Sequence, residues 1–167
     1  MAIDTEIEHG YKVKDKISGF VGIVTLIGEH ISGCTRIGAY PVGEEKTDRR
    51  GEQEFFFEEQ LEVLEEETEF TEFEVRTDTD FELGEVVKDE ISGFEGVVSV
   101  INYELWNCPS VNLAKQYSDE AESEWFDDVT LTSTGKNPFA ELTEDIQEKT
   151  VESTGSFEDK APANDCR

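Results

Sequence analysis

The sequence has little positive charge, few cysteines and histidines, and no long apolar run. Lys and Arg total 14 against 41 Asp and Glu, which gives a formal net charge of −27. Because phosphate binding draws on Lys and Arg, free nucleic acid is a poor partner for such a chain. No stretch approaches the roughly 18 apolar residues of a membrane-spanning helix, and the first residues lack the basic and apolar regions of a signal peptide. We therefore expect the protein to be made in the cytoplasm and to have no contact with a membrane.

The few cysteines and histidines show no catalytic or metal-binding pattern. The three cysteines form no CxxC pair and no zinc set. Cys34 and Cys108 lack the basic surroundings of a reactive thiol, so we interpret both as small buried hydrophobic residues. His9 and His30 lie outside any HxxxH pattern, and we interpret both as surface residues. No phosphate-binding loop or EF-hand spacing is present, and the sequence predicts no catalytic residue, metal or cofactor.

The acidic residues are spread along the whole chain instead of forming one tail. In dilute buffer such self-repulsion works against a compact state. In molar salt the Debye length falls to about 3 Å, and the repulsion is screened. The composition therefore indicates a protein that works in a very salty environment. The alternative is a partly disordered acidic protein, which the regular pattern described next disfavours.

An internal duplication organises the chain. Residues 10–37 align with residues 84–111 at a constant offset of 74 positions without a gap. An aromatic pair at 55–56 then matches 125–126 at an offset of 70, so the second copy has a shorter connection, as surface loops allow. The identical positions include Val13/Val87, Lys14/Lys88, Asp15/Asp89, Ile17/Ile91, Gly19/Gly93, Phe20/Phe94, Gly22/Gly96 and Cys34/Cys108.

Each copy is typical of a unit of short β-strands. The Ser-Gly dipeptides at 18–19 and 92–93 predict tight turns, in which glycine adopts a positive φ. The segments 22–27 and 96–101, which begin at Gly22 and Gly96, are rich in β-branched residues and predict strands. Because closure hides strand edges, we predict an all-β fold of two tandem small barrels. The expected regions are a first module at 1–62, an acidic linker or bridging strand at 63–83, a second module at 84–131 and a tail at 132–167.

The linker and the tail carry the apolar residues that we predict to contact partners. Phe73, Val75 and Thr77 alternate with charged residues, so the linker is either a strand packed on the barrels or a solvated connection. In the tail, Asn137-Pro138 predicts the start of a short helix. That helix would bind its own domain or a neighbouring subunit. The predicted contact residues are Phe70, Phe73, Phe139, Leu142 and Ile146.

Asp15 and Asp89 are the most suggestive repeated polar residues. One reading pairs them across the duplication as an acid–base or cation site, which would make the chain a small hydrolase. The simpler reading, which we favour, is that each carboxylate accepts backbone N–H bonds around its Ser-Gly turn. No nucleophile or metal signature supports the hydrolase reading, so we predict that the chain is not an enzyme.

The repeated motif resembles a family of short proteins of tailed phages. Members look like KDxITGFxGIVT, followed by a cysteine and a WFDE closure. The motif stands here at 14–25 with Cys34, and again at 88–99 with Cys108 and the closure at 125–131. The first copy departs from the pattern at its Phe-Phe-Phe closure, and the second has Asn107 before the cysteine. A looser similarity is to KOW-type modules, which implies that the two barrels are SH3-like.

Together with the acidic composition, the resemblance implies a virion structural protein of a haloarchaeal tailed virus or provirus. Its expected places are capsid decoration, a turret or the head–tail connection, after a stay in the host cytoplasm. Its expected partners are the major capsid protein, other virion proteins and further copies of itself in a homo-oligomer. The alternative is a KOW-like adaptor for nucleic acid or the transcription and translation machinery, with Lys12, Lys14 and Lys16 as its basic cluster.

Overall fold

The computed structural model describes residues 5–42, 52–115 and 122–138. In these residues the regular structure is ten β-strands and two short 3-10 helices, so the all-β prediction is confirmed. The first copy contains β1 (Lys12–Asp15), β2 (Val21–His30), β3 (Thr35–Pro41), β4 (Glu54–Phe57), the 3-10 helix Glu58–Gln60 and β5 (Leu61–Glu65). The second contains β6 (Val86–Asp89), β7 (Glu95–Glu104), β8 (Ser110–Ala114), β9 (Ser123–Asp127), the 3-10 helix Asp128–Thr130 and β10 (Leu131–Lys136).

The two copies have the same strand order. In the first, β2 pairs with β1 and β3, β4 pairs with β3, and β5 returns to pair with β1. In the second, β7 pairs with β6 and β8, β9 with β8, and β10 with β6. Both long strands have an irregular register at equivalent places, between Val24 and Leu26 and between Val98 and Val100. Such a bulge bends a strand, so that its two halves can pair with different neighbouring strands.

The repeated glycines Gly22 and Gly96 lie inside the long strands instead of opening them. The strand starts predicted at these glycines are wrong by one residue, since β2 begins at Val21 and β7 at Glu95, where pairing with β1 and β6 begins. Both glycines are buried. A Cβ atom on Gly96 would lie 2.8 Å from the carbonyl oxygen of Ala114 on β8, and one on Gly22 would collide with the β3 backbone in the same way. Glycine therefore lets two backbones approach closely at both places.

Each copy has its own hydrophobic core, formed by equivalent residues. The strands alternate inward and outward side chains, and most of the inward apolar residues are β-branched or leucine. Phe20 packs on Phe56 with ring centroids 5.1 Å apart, and Phe94 packs on Phe126 at 5.5 Å. The two cores contain, in matching order, Val13, Val24, Ile27, Ile37 and Leu61, and Val87, Val98, Ile101, Val111 and Leu131.

The repeat begins earlier than the sequence comparison indicated. Ile7 is buried in the first core and Phe81, 74 positions later, is buried in the second. At the other end, β5 runs to Glu65 and β10 to Lys136, beyond the expected module ends at 62 and 131. From here, "first module" means residues 5–65, "second module" means residues 79–136, and "linker" means residues 66–78.

The two modules share one sheet. The second half of β2 pairs with β7, which connects all ten strands into a single open antiparallel sheet. The expected division into two tandem barrels is therefore not shown by the pairing of the described strands. The sequence similarity of the copies gave no sign that a strand of one copy would pair with a strand of the other.

The linker is neither a strand nor fully solvated. It contains turns and bends but no strand, so of the two alternatives the strand around Phe73 is wrong. The hydroxyl of Thr68 nevertheless donates a hydrogen bond of 2.6 Å to the carbonyl of Gly10, and Phe70 is half-buried. The described residues end at Pro138, at the predicted start of the tail helix, so the rest of that helix, with Phe139, Leu142 and Ile146, lies outside them. Within the described part of the chain, no helix has the length and apolar character needed to cross a membrane.

Two burial predictions are wrong. Cys34 and Cys108 are exposed, because they lie in the β2–β3 and β7–β8 connections just before the next strand begins. Connections of this kind run over the surface. His9 is buried instead of exposed, because the segment before β1 is covered where the first module contacts the second. His30 is half-buried at the end of β2.

Candidate interaction surfaces

The β1–β2 corner (residues 15–20) and the β6–β7 corner (residues 89–94) have the same internal hydrogen bonds. The Asp15 carboxylate accepts bonds from the backbone N–H of Ser18 at 2.7 Å and from its hydroxyl at 2.5 Å. Asp89 accepts the equivalent pair from Ser92, both at 2.6 Å. These bonds hold the pKa of both carboxyl groups below the usual value. The turn-carboxylate reading is confirmed: in each corner Oδ2 accepts both bonds from the serine, and Oδ1 is buried without a hydrogen-bond partner among the described residues.

The corners also present an identical bare isoleucine. Gly19 and Gly93 have φ of 77° and 75°, the left-handed conformation that the sequence predicted for them. Between each aspartate and its turn, Ile17 is 77% exposed and Ile91 is 82% exposed. The corner therefore holds a large apolar side chain out in solvent, on a backbone fixed by side-chain hydrogen bonds. The sequence showed this isoleucine only as a repeated identity and gave no sign of its exposure.

The pairing of β2 with β7 is arranged about a local twofold axis. Gly28 of β2 lies opposite Asn102 of β7, and Asn102 is the equivalent of Gly28 at the offset of 74. When two antiparallel strands pair at equivalent residues, each strand contributes the same edge to the contact, as the subunits of an isologous dimer do. The duplicated chain thus resembles a symmetric dimer made from one polypeptide.

Two hydrogen bonds at the ends of this junction repeat the same symmetry. The backbone N–H of Ile31 donates to the carbonyl of Ser99 at 2.9 Å. The N–H of Leu105, the equivalent of Ile31, donates to the carbonyl of Thr25, the equivalent of Ser99, at 2.8 Å. The junction between the modules is therefore a matched set of main-chain bonds and not a loose contact.

The side chains at the junction break the symmetry that the backbone keeps. A Cβ atom on Gly28 would lie 2.5 Å from the Oδ1 atom of Asn102, so glycine leaves the space that the amide occupies. Tyr103 is fully buried, whereas its equivalent Glu29 is half-buried. Burial raises the pKa of Tyr103 to about 12. The buried His9 ring lies across the junction, with Nε2 2.8 Å from the carbonyl of Tyr103.

A buried carboxylate fixes the linker to the second module. Asp128, in the second 3-10 helix, is buried, and its Oδ2 atom lies 2.7 Å from Nη2 of Arg76. Thr79 donates a further bond of 3.3 Å to it. Burial raises the pKa of the Asp128 carboxyl, and Arg76 opposes that shift. In the first module Thr5 and Glu58 form the equivalent threonine–acid bond at 2.6 Å, so the arginine is the added element of the second.

The linker and the second module together form an aromatic cluster of Phe70, Phe73 and Trp106. Phe70 stacks with Phe73 at 6.4 Å and meets Trp106 edge-on at 6.2 Å. Phe73 is 51% exposed and Trp106 is 57% exposed. Of the predicted contact residues, the structure thus brings Phe70 and Phe73 together and adds Trp106. Trp106 carried no sequence signal, because it lies outside the repeat identities.

A groove of about 610 Å³ lies beside this cluster, between the start of the first module and the linker. Its volume falls in the range of ligand pockets, and its walls are part apolar and part polar. Phe73 of the cluster and the acidic residues Glu8 and Asp78 are among the residues that line it. The lining residues are Thr5, Ile7, Glu8, His9, Ile27, Thr71, Phe73, Val75, Thr77 and Asp78.

In the basic cluster of the alternative hypothesis, one of the three lysines, Lys12, pairs with an acid in the described part of the chain. The Lys12 ammonium lies 2.8 Å from Glu65, and Lys16 donates to the backbone carbonyl of Glu59 at 3.1 Å. Its pairing with Glu65 weakens Lys12 as a contact for phosphate groups. Within the described ranges, no group of three or more His, Cys, Asp or Glu side chains is placed to hold a metal ion.

Comparison of the chain with protein-family models, curated proteins and solved structures gives no match.

Proposed function

We propose that this chain is a non-enzymatic virion structural protein that binds other virion proteins through exposed apolar side chains. The proposed setting is a tailed virus or provirus of a halophilic archaeon, and the proposed place is capsid decoration, a turret or the head–tail connection. The family resemblance of the repeated motif is the ground for the virion assignment. The acidic composition is the ground for the salty host.

The observation that carries a binding role is the amount of large apolar surface on a highly charged chain. The aromatic cluster exposes Phe73 and Trp106, and Phe55 and Trp125 are exposed at equivalent places on β4 and β9. In high salt, Coulomb attraction is screened, and apolar contacts become the main source of affinity. Exposed aromatics rimmed by carboxylates are typical of protein–protein contact sites.

We also propose that each module is SH3-like. Five features support this assignment: five short strands, the antiparallel meander of the middle three, the return of the last strand to the first, the 3-10 helix before that strand, and a bent long strand. In this view the β2–β7 pairing joins two SH3-like units edge to edge. A solution structure at molar salt would test the assignment through the path of β4 relative to β5.

Mass spectrometry of purified virions tests the function directly. We expect peptides of the chain in particles that have been washed at molar salt, at a ratio to the major capsid protein that fits a repeated position. Particles carrying Phe73→Ser/Trp106→Ser should incorporate less of the chain. Thr132→Ala, a substitution at an exposed position on β10, serves as the control. Absence of the chain from washed wild-type particles would reject the proposal.

A further inference from the structure

The fold explains most of the identities between the two copies. The shared valines, Ile27/Ile101 and Phe20/Phe94 lie in the cores or pack against them. The shared aspartate, serine and glycine of each Asp-x-x-Ser-Gly segment form the corners. Three shared residues are left without such a role. Lys14/Lys88, Ile17/Ile91 and Cys34/Cys108 are exposed in both copies.

Lysine and isoleucine stand on the same hairpin in each module. Among the described residues, neither Lys14 nor Lys88 forms an ion pair, although the chain has 41 acidic residues for its 14 basic ones. Three residues further on, Ile17 and Ile91 are the two most exposed large apolar side chains of the described chain. Neighbouring positions on the same hairpins differ between the copies: Lys16 corresponds to Glu90 and Val21 to Glu95. Each corner therefore offers a free ammonium group and a bare isoleucine.

The local twofold axis of the junction relates one corner to the other. Because β2 and β7 pair at Gly28 and Asn102, a rotation about that point exchanges the modules and carries the first corner onto the second. The corner hydrogen bonds hold both isoleucines in the same conformation relative to their modules. One chain thus presents the same small surface twice, in symmetry-related directions.

We propose that the two corners are twin contact points that bind two identical protein subunits. Each subunit receives the isoleucine in an apolar pocket and presents a carboxylate to the lysine. This inference rests on the proposed function, since a virion supplies identical subunits in a regular array. Two modest contacts on one chain then combine through effective concentration, provided that both corners can engage at the same time.

Virus particles assembled without the chain are the probe for this inference. Binding of the purified chain to such particles at molar salt is compared for wild type, Ile17→Ser, Ile91→Ser and the double variant. Burial of one isoleucine changes an affinity by roughly tenfold to a hundredfold. We expect each single variant to lose about tenfold or more, the two losses to be similar, and the double variant to lose more than a hundredfold.

The chain supplies a matched control. Val129 is 67% exposed, and its equivalent in the first module is Glu59, so it is a bare apolar residue without a repeated partner. Val129→Ser should bind like wild type. All these substitutions are at exposed positions, so thermal unfolding should be unchanged. Lys14→Gln/Lys88→Gln should weaken binding by a smaller factor than the isoleucine double variant.

The possible failures are distinguishable. Wild-type binding together with an unchanged double isoleucine variant would overturn the twin contacts and leave the virion role standing. If one single variant lost affinity and the other did not, the twin contacts would also be overturned, because the two corners would not be equivalent in binding. A double variant that lost only self-association, measured by light scattering, would assign the corners to contacts between copies of the chain and reject the proposal. A wild-type chain that did not bind the particles would reject the virion role and this inference with it.

Discussion

The first and second modules place equivalent residues in their cores but different residues along the strands that join them. Val24 and Val98 are fully buried in the same environment, whereas Gly28 faces Asn102 and Glu29 has become Tyr103. A duplicated chain whose copies pair with each other can keep one backbone geometry on both sides of the axis. At Gly28 and Asn102, which face each other on the axis, only one side chain fits the space, so this pair differs between the copies. The comparison teaches that the junction carries the difference between the modules while the interiors stay alike.

The largest expected effect tests whether the modules unfold together. Ile27→Ala and Ile101→Ala each remove a buried side chain at equivalent places, and each should lower the free energy of unfolding by about 3 kcal/mol. If the ten strands unfold as one unit, Ile27→Ala should also speed hydrogen exchange in β8 of the other module. Urea unfolding and hydrogen-exchange mass spectrometry at molar salt measure the two effects. Exchange in β8 that stays at the wild-type rate would show that the modules are independent.

The next effect tests the local twofold axis. Gly28→Asn crowds the Asn102 amide and should cost about 2 kcal/mol, as overpacking usually does. Because the two positions are equivalent, the exchange Gly28→Asn/Asn102→Gly should restore most of the loss by placing the same pair in the opposite order. Thermal unfolding of the two variants decides the matter. A double variant no more stable than Gly28→Asn would contradict the symmetric junction.

A smaller effect concerns the difference between the modules at their 3-10 helices, where only the second has an arginine paired with the acid. Arg76→Ala leaves the buried Asp128 carboxylate without its cation and should cost ~1–2 kcal/mol, a discounted value because the guanidinium group is partly exposed. Adding Asp128→Asn should recover part of the loss, since an amide needs no counter-charge. Glu58→Gln in the first module, where no arginine is paired, is the control and should change stability less. Denaturant titration of the four proteins measures the comparison.

The smallest effect concerns the histidine that crosses the junction. Burial lowers the pKa of His9 in the folded protein, so the unfolded chain takes up a proton first as the pH falls. Stability linked to His9 is therefore complete above the ordinary histidine pKa of about 6.5 and declines below it. His9→Gln should remove this decline. The measurement is the difference in unfolding midpoint between wild type and variant from pH 7.5 to 5, and a constant difference would show that His9 does not titrate in this way.

Local patterns gave the parts of the fold that depend on near neighbours in the chain. The Ser-Gly turns, the corner carboxylates of Asp15 and Asp89 and the β-branched strands could be predicted because each needs only a few adjacent residues. The duplication was equally visible. Cys34 was correctly predicted to lie before a strand but wrongly predicted to be buried. Small size and apolar character do not distinguish a core position from a surface turn. The linker alternation around Phe73 resembled a strand, yet the segment follows the surfaces it packs on.

Composition and repetition by themselves determined that this chain is all-β, duplicated and acidic, since strand propensity, turn residues and charge are properties of short segments. Tertiary structure alone decided that β2 would pair with β7, that His9 and Tyr103 would be buried there, and that Arg76 would reach Asp128. Each of these joins residues about 50 to 95 positions apart, and the free energy that selects them comes from main-chain bonds and burial at an edge that exists only after both modules have folded.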